Sequence, residues 1–358
     1  MTENITLFPE TTIGIDLGDR YSYGCVLDHH GEVGERFRFE TTRGGLGKAF
    51  KGRSACRVVV EVGTHSPWMS RDLNALGHEV IVANAREVQS ISKSDRKNDA
   101  ADAEQLARLG RADPKLLHPI EHRCEETQRD RALLAVRDKL VRTRASLVVQ
   151  ARGLAKGLGE RLPKGTTQAM PKRVREAGFE DLFPGLSSLL EVVETLGEKI
   201  CALDRQIEHL SKKRYPETAL LRQVGGVGPI TSLAYVLTIE DPKRFTRSRS
   251  VGVYLGMRPR QRDSGERSPQ LSISKAGDRY LRGLLVECAQ YIMSIGPDCD
   301  LQRYGKRIME RGGRATYQRA IVAVARKLAV LLHSLWRTAE VYEPLRQAEI
   351  TQASAAAA

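Results

Sequence analysis

Residues 12–18 read Thr-Ile-Gly-Ile-Asp-Leu-Gly, a short β-branched run that ends on an acid and a glycine. β-Branched side chains suit a pleated, half-buried surface, so Thr12–Leu17 is predicted as a strand with Asp16 at its end. Tyr21–Leu27, closed by His30-Gly31, reads as the next strand of a hairpin. Arg57–Val62 (RVVVEV) reads as a buried strand and Glu79–Ala83 (EVIVA) as another. Between them, Trp68–Leu76 has helical spacing and ends at Gly77, a C-cap signal. Asp99–Gly110 (DAADAEQLARLG) is predicted as a helix that follows a polar loop. Hairpin and βαβ signals together predict an α/β sheet with at least one antiparallel edge.

Downstream of residue 122 the pattern becomes helical. Leu133, Leu140, Leu147 and Leu154 recur every seven residues, followed by a loop rich in Gly, Pro and Lys (Lys156–Lys172). Leu189, Val193, Leu196, Ile200, Leu203, Ile207 and Leu210 then alternate steps of four and three, the seam of a coiled coil. Such helices can form a hairpin within one chain or pair between chains, and the short seams favour the second. Residues 214–345 predict a mostly helical unit containing VGGVGP (224–229), a polar loop Arg258–Ser274 and long helices near 277–295 and 315–340. The expected division is therefore α/β at 10–122, a coiled-coil helical connector at 123–213, an all-α C-terminal domain at 214–345 and a low-complexity tail at 346–358.

The chain has 358 residues, 57 Lys and Arg against 44 Asp and Glu, a net charge of +13 and a pI near 9.6. That excess points to a polyanionic partner, because clustered cations gain affinity when they release counterions from phosphates. Six scattered cysteines form no CxxC pair, which excludes a zinc ribbon and leaves no disulfide framework. A mean hydropathy of -0.37 and the lack of any apolar run near twenty residues argue against a membrane span. The start, MTENITLFPE, has no basic opening or long apolar stretch, so a cytoplasmic protein is expected.

Four acids stand out by position. Asp16 and Glu61 each end a predicted apolar strand, in IGIDLG and VVVEVGTHSPW. A carboxylate leaving a buried strand is costly unless paired, and a divalent cation is the usual partner. Asp99 and Asp102 are three apart at a helix start, so they project from nearly one face. Two strand acids and two helix acids could complete a cage for two Mg²⁺ ions roughly 4 Å apart, a phosphoryl-transfer arrangement. Each has a plainer reading: Asp99 as a helix cap, Asp16 as a turn residue. His65 is the histidine nearest the acids and is read as a bystander.

IGIDLG, VVVEVGTHSPW and KSDRKNDAADAEQLARL resemble, in order and spacing, the N-terminal domain of DEDD-type insertion-sequence transposases, itself similar to the RNase H-like resolvase RuvC. LLRQVGGVGPITSLAYVLTI, FTRSRSVGVYLGMRPRQRDSGERS and ISKAGDRYLRGLLVECA resemble the same family's C-terminal transposase domain. The resemblance spans about residues 12–340. It implies that Asp16, Glu61, Asp99 and Asp102 bind Mg²⁺ (or Mn²⁺), and that Ser264 is a nucleophile forming a phosphoserine link to DNA. It also implies donor and target double-stranded DNA, a structured guide RNA encoded by the element, and a homo-oligomer organised by the coiled coil. Ser264-Gly265 by itself is as readily an ordinary turn.

Around Ser264 lie Arg258, Arg260, Arg262 and Arg267, suited to holding a phosphate. Lys275 and Arg279 precede a helix, where phosphates bind. VGGVGPITS resembles a helix-hairpin-helix turn in which Gly226 and Gly228 bring backbone N–H groups to a phosphate; a plain packing corner is the other reading. Two further functions compete: a junction resolvase hydrolysing with activated water, and a non-enzymatic nucleic-acid assembly protein.

Overall fold

The computed structural model describes residues 11–84, 98–262, 271–313 and 315–346. The chain divides into two compact units, Met1–Glu125 and Glu126–Ala358. In the first, β1 (Thr12–Asp16), β2 (Tyr21–Leu27), β3 (Val33–Glu40), β4 (Arg57–Glu61) and β5 (Glu79–Ala83) form one sheet in the order β3-β2-β1-β4-β5. β1, β2 and β3 pair antiparallel, while β4 and β5 run parallel to β1 on its other side. The mixed sheet with an antiparallel edge matches the expectation, and its order is consistent with an RNase H-like layout.

Three helices cover the sheet: α1 (Arg43–Phe50), α2 (Ser66–Ala75) and α3 (Asp99–Ala112). On one face Ile13, Ile15, Val58 and Val60 pack with Leu46, Phe50, Met69 and Leu73. On the other, Val59, Ile81 and Ala83 meet Leu106 and Leu117, and Cys25 and Leu27 meet Ala103 and Ala107. Val58, Val59 and Val60 are therefore all 0% exposed. A strand buried on both faces reads as a continuous apolar run, which is why RVVVEV was legible.

β3 and α1 carry no such signal. β3 (VGERFRFE) is a largely exposed edge strand, and its charges hide it from a hydrophobicity pattern. α1 (RGGLGKAF) holds three poor helix formers and is started by Thr42, whose side chain accepts from Gly45 N at 3.0 Å.

The second unit is helical: α4 (Glu125–Gly157), α5 (Met170–Glu176), α6 (Leu186–Arg214), α7 (Thr218–Leu221), α8 (Pro229–Ile239), α9 (Arg249–Tyr254), α10 (Arg279–Ser294), α11 (Asp300–Glu310) and α12 (Thr316–Thr338). α4 and α6 pair with each other within the chain. Val148 and Ala151 share a core with Leu186, Leu190 and Val193. Towards the other end of the pair, Arg137 Nε donates to Asp204 at 2.8 Å and Tyr215 OH to Asp130 at 2.6 Å. The α6 positions that become buried include Leu186, Leu190, Val193, Gly197, Ile200 and Ile207. Leu189, Leu196, Leu203 and Leu210 of the expected seam are half-buried. α8 is buried through Thr231–Ile239, its hydroxyl residues Thr231, Ser232 and Thr238 included, with α10 and α12 packed into the same core. Tyr235, fully buried there, donates its hydroxyl to the Ala329 carbonyl at 2.6 Å.

All six cysteines are free, four of them buried. No helix among the described residues is long and apolar enough to cross a membrane.

Candidate functional site

β1 and β4 are parallel neighbours in register, with Ile15 beside Val60. Their last residues, Asp16 and Glu61, therefore emerge at the same end of the sheet. Side chains alternate faces along a strand. Asp16 shares a face with Gly14 and Glu61 with Val59, and that is the face on which α3 lies.

The close seating of α3 fixes the other two acids. A Cβ on Gly14 would fall 2.0 Å from the Ala103 carbonyl oxygen and 2.5 Å from Ala107 N. A Cβ on Gly110 would fall 2.2 Å from Val59 Cγ2. Gly14 lets the α3 backbone approach the strand backbone, and Gly110 makes room for the Val59 side chain. Arg57, at the start of β4, donates to the Gly110 carbonyl at 3.0 Å, tying down the far end of α3. The helix thus runs against the strand direction, and its first turn, carrying Asp99 and Asp102, arrives beside Asp16. Asn98 is the N-cap, its Oδ1 accepting from Ala100 N at 3.1 Å. Asp99 is therefore not the cap.

The electrostatics record the convergence. Burial pushes the Asp16 carboxyl up to about 6, and the negative charges of Asp99, Asp102 and Glu61 push in the same direction. Asp99 and Asp102 stand in the first turn of α3, at the positive end of its dipole, and with Glu61 they lie near enough to Asp16 to act on its charge. Among the described residues, no group of three or more His, Cys, Asp or Glu side chains is already arranged to hold a metal ion. At the rim, His65 Nδ1 accepts from Trp68 Nε1 at 3.2 Å and His65 Nε2 lies 3.7 Å from Asp19.

In the second unit the polar loop is better ordered at its root than the sequence suggests. Residues 256–262 and 271–275 pair as a short antiparallel ribbon: Arg260 N donates to Ser272 O at 3.0 Å, and Ser274 N to Arg258 O at 2.8 Å. Gly256 (φ +69°) and Gly277 (φ +82°) close its base, where a Cβ would meet Ala276 O at 1.8 Å and Tyr254 O at 2.0 Å. Arg258, Arg260 and Arg262 are exposed on one strand of the ribbon and Lys275 on the other, while Arg279 is exposed at the start of α10. Arg260 also donates to Ser272 Oγ at 3.0 Å, and Arg258 to Gln261. Ser264 and Arg267 lie outside the described residues.

Gly226 (φ +87°) and Gly228, the N-cap of α8, border a cleft of about 500 Å³ shared with Arg222, Thr231, Glu287 and Tyr291. At Gly226 a Cβ would meet the Tyr291 ring at 2.7 Å, so the turn needs glycine for space as well as for φ. Sequence reading missed Gly14, Gly110, Gly256 and Gly277. Only Gly14 carried a local signal, as a glycine inside a β-branched run.

An α/β carboxylate domain followed by a helical unit with an arginine-bearing ribbon is the class of protein these features define. Residues 13–159 match the family model for DEDD transposases of the IS110 type, and residues 218–305 that for transposases of the IS116/IS110/IS902 family. The transposase for insertion sequence element IS1328 of Yersinia enterocolitica is 33% identical over 79% of this chain and 84% of its own length. The transposase for IS1111A of Coxiella burnetii is 26% identical over 92% of this chain and 90% of its own. The pilin gene-inverting protein of Moraxella bovis is 23% identical over 92% of this chain and 96% of its own. The chain belongs to the IS110-type family of DEDD transposases, insertion-sequence enzymes that cut and rejoin DNA.

Proposed function

We propose that this chain cuts and rejoins donor and target double-stranded DNA through a covalent phosphoserine intermediate, with Ser264 as nucleophile and Asp16, Glu61, Asp99 and Asp102 as the metal-binding acids. The observation that carries the reading is the convergence of four carboxylates, from three separate segments, on one end of the sheet. Mg²⁺, or Mn²⁺ in its place, would be held by those four acids and would offset the negative charge that builds up on a phosphate under attack.

The serine chemistry balances without an energy source. Ser264 Oγ forms a bond to phosphorus, the bond to one sugar oxygen breaks, and the serine proton ends on that departing hydroxyl. A second sugar hydroxyl then attacks the phosphoserine, and the serine oxygen recovers a proton. The phosphodiester is conserved throughout. Arg258, Arg260, Arg262, Arg267, Lys275 and Arg279 contact phosphates around the serine, and Gly226 and Gly228 offer backbone N–H groups to another. Base pairing to an element-encoded RNA supplies sequence choice, while the protein, with its +13 charge, reads backbone and shape. The 123–213 connector supports self-association of the 10–122 and 214–345 domains as a dimer or tetramer. The enzyme works at the nucleoid of a prokaryotic cytoplasm.

Cleavage of a donor DNA junction with Mg²⁺ and the element's own transcript, run on a denaturing gel with and without protease, tests this reading. A protein-linked DNA band that disappears in Ser264→Ala is the expected result. Free ends with undiminished cleavage in that variant would instead make the chain a junction resolvase that uses activated water.

A further inference from the structure

The strand register sets Asp16 opposite Tyr23, and Tyr23 opposite Arg38. Directly opposed residues project from the same face of a sheet. A carboxylate, a phenol ring and a guanidinium therefore form one row from the acid end to the sheet edge. At about 4.8 Å between strands, Arg38 lies roughly 10 Å from Asp16. The face is the one that carries α3: Cys25, two residues along β2 from Tyr23, packs on Ala103 and Ala107. Arg36, two residues before Arg38, pairs with Glu104 of α3 at 2.6 Å.

Arg38 differs from its neighbours. Arg36 is taken by Glu104 and Arg53 by Glu35, whereas among the described residues Arg38 enters no ion pair. Its guanidinium instead lies 4.5 Å from the centroid of the Tyr21 ring, and Tyr21 is itself 43% exposed. Stacking holds the guanidinium plane in place and leaves its N–H edge open for a bidentate acceptor such as phosphate. Glu40, opposite Tyr21, lies two residues along β3 from Arg38, outside the row, and sets a negative charge beside its outer end.

We propose that this row seats one nucleic-acid strand: Arg38 takes a backbone phosphate, and the Tyr21 and Tyr23 rings pack on the adjoining sugar or base. Its distance from Asp16 corresponds to about three nucleotides at the rise of one duplex strand, roughly 3.4 Å each. The inference rests on the acid-site reading above, since Asp16 defines the inner end of the row. A cross-strand pair that only stiffens an edge strand is the plainer alternative.

Binding of single-stranded and duplex DNA of one sequence by the full chain, followed by fluorescence anisotropy over a salt series, separates the two. Arg38→Gln should weaken binding about five- to tenfold at low salt. It should also reduce the magnitude of the log–log salt slope by about 0.7 to 0.9 on at least one of the two DNA forms. Arg38→Lys should keep the slope and lose part of the affinity, and melting temperatures should not move. An unchanged slope and affinity on both forms overturns the proposal, as does a lowered melting temperature in Arg38→Gln with the slope intact. Asp102→Asn, run alongside, should bind DNA and fail to cleave it. Cleavage by Asp102→Asn would sink the acid-site reading, while the Arg38 slope still judges the row by itself.

Discussion

Replacing Gly14 by alanine puts a methyl group where the α3 backbone already lies. The new Cβ would sit 2.0 Å from the Ala103 carbonyl oxygen and 2.5 Å from Ala107 N, against an ordinary contact of 3.4 Å or more. Because the colliding atoms are backbone, no side chain can swing aside, and α3 has to retreat by about 1.4 Å. Overpacking of this kind costs about 1–3 kcal/mol, and the upper end is expected here. The retreat also carries Asp99 and Asp102 away from Asp16 and Glu61. Misplacement by about 1 Å at a reacting centre costs on the order of 100-fold in rate. Hydrogen exchange of the β1 and α3 amides measures the stability loss within the first unit, and cation-dependent DNA cleavage measures the rate. Gly47→Ala in α1 is the control: its Cβ meets nothing within 4 Å, and a helical glycine replaced by alanine should gain about 0.5–1 kcal/mol. A Gly14→Ala protein that exchanges and cleaves like the parent would refute the claim that α3 is seated on this glycine.

Asp16, pushed up to about 6 mainly by burial, holds its proton more tightly folded than unfolded. Its contribution is thus present below pH 3.8 and lost as pH rises through 6. With chelator present, Asp16→Asn should stabilise the first unit at pH 7.5 by about 1–2 kcal/mol, allowing for solvent screening of this half-buried group, and should change nothing at pH 3.5; hydrogen exchange reads both. His78 and His122 act in the opposite sense. Burial holds both below the usual histidine value, so their share of stability is present above pH 6.5 and lost as pH falls; His78→Gln should flatten part of that acid-side loss in a pH series of melts. Tyr235→Phe removes the hydroxyl bonded to Ala329 O and should cost the second unit about 1–1.5 kcal/mol in urea unfolding. Gly256→Ala collides with Ala276 O at the ribbon base and should abolish strand transfer while sparing the circular dichroism of the helices.

What could be read from the sequence was what local pattern carries. β1, β4, β5 and α3 announce themselves by β-branched runs and helical spacing, and Asp16 and Glu61 by their place at the ends of apolar strands. β3 stayed hidden because an exposed edge strand has no apolar alternation to show. α1 stayed hidden because its glycines contradict its helical state. Asn98 outcompetes Asp99 as the cap, a choice between adjacent residues that spacing cannot decide. The ribbon base is non-local: Gly256 and Gly277 are needed because of each other's neighbourhoods, 21 positions apart. Arg38 acquires its interest only from the register that aligns it with Asp16.

The double-sided burial of β4 has a consequence for how the chain is made. Val58 and Val60 are covered by α1 and α2, whose residues are nearby in sequence, but Val59 is covered by α3. At about 5–20 residues per second of synthesis, the roughly 50 residues between Glu61 and Ala112 take about 3–10 s. During that interval a nascent sheet shows Val59, Ile81, Cys25 and Leu27 to its surroundings. Fragments that stop between β5 and α3 should therefore precipitate or be captured by holdases. A fragment that runs past Ile120, which bridges to Val82 on the β5 edge, carries its own cover and should stay in solution.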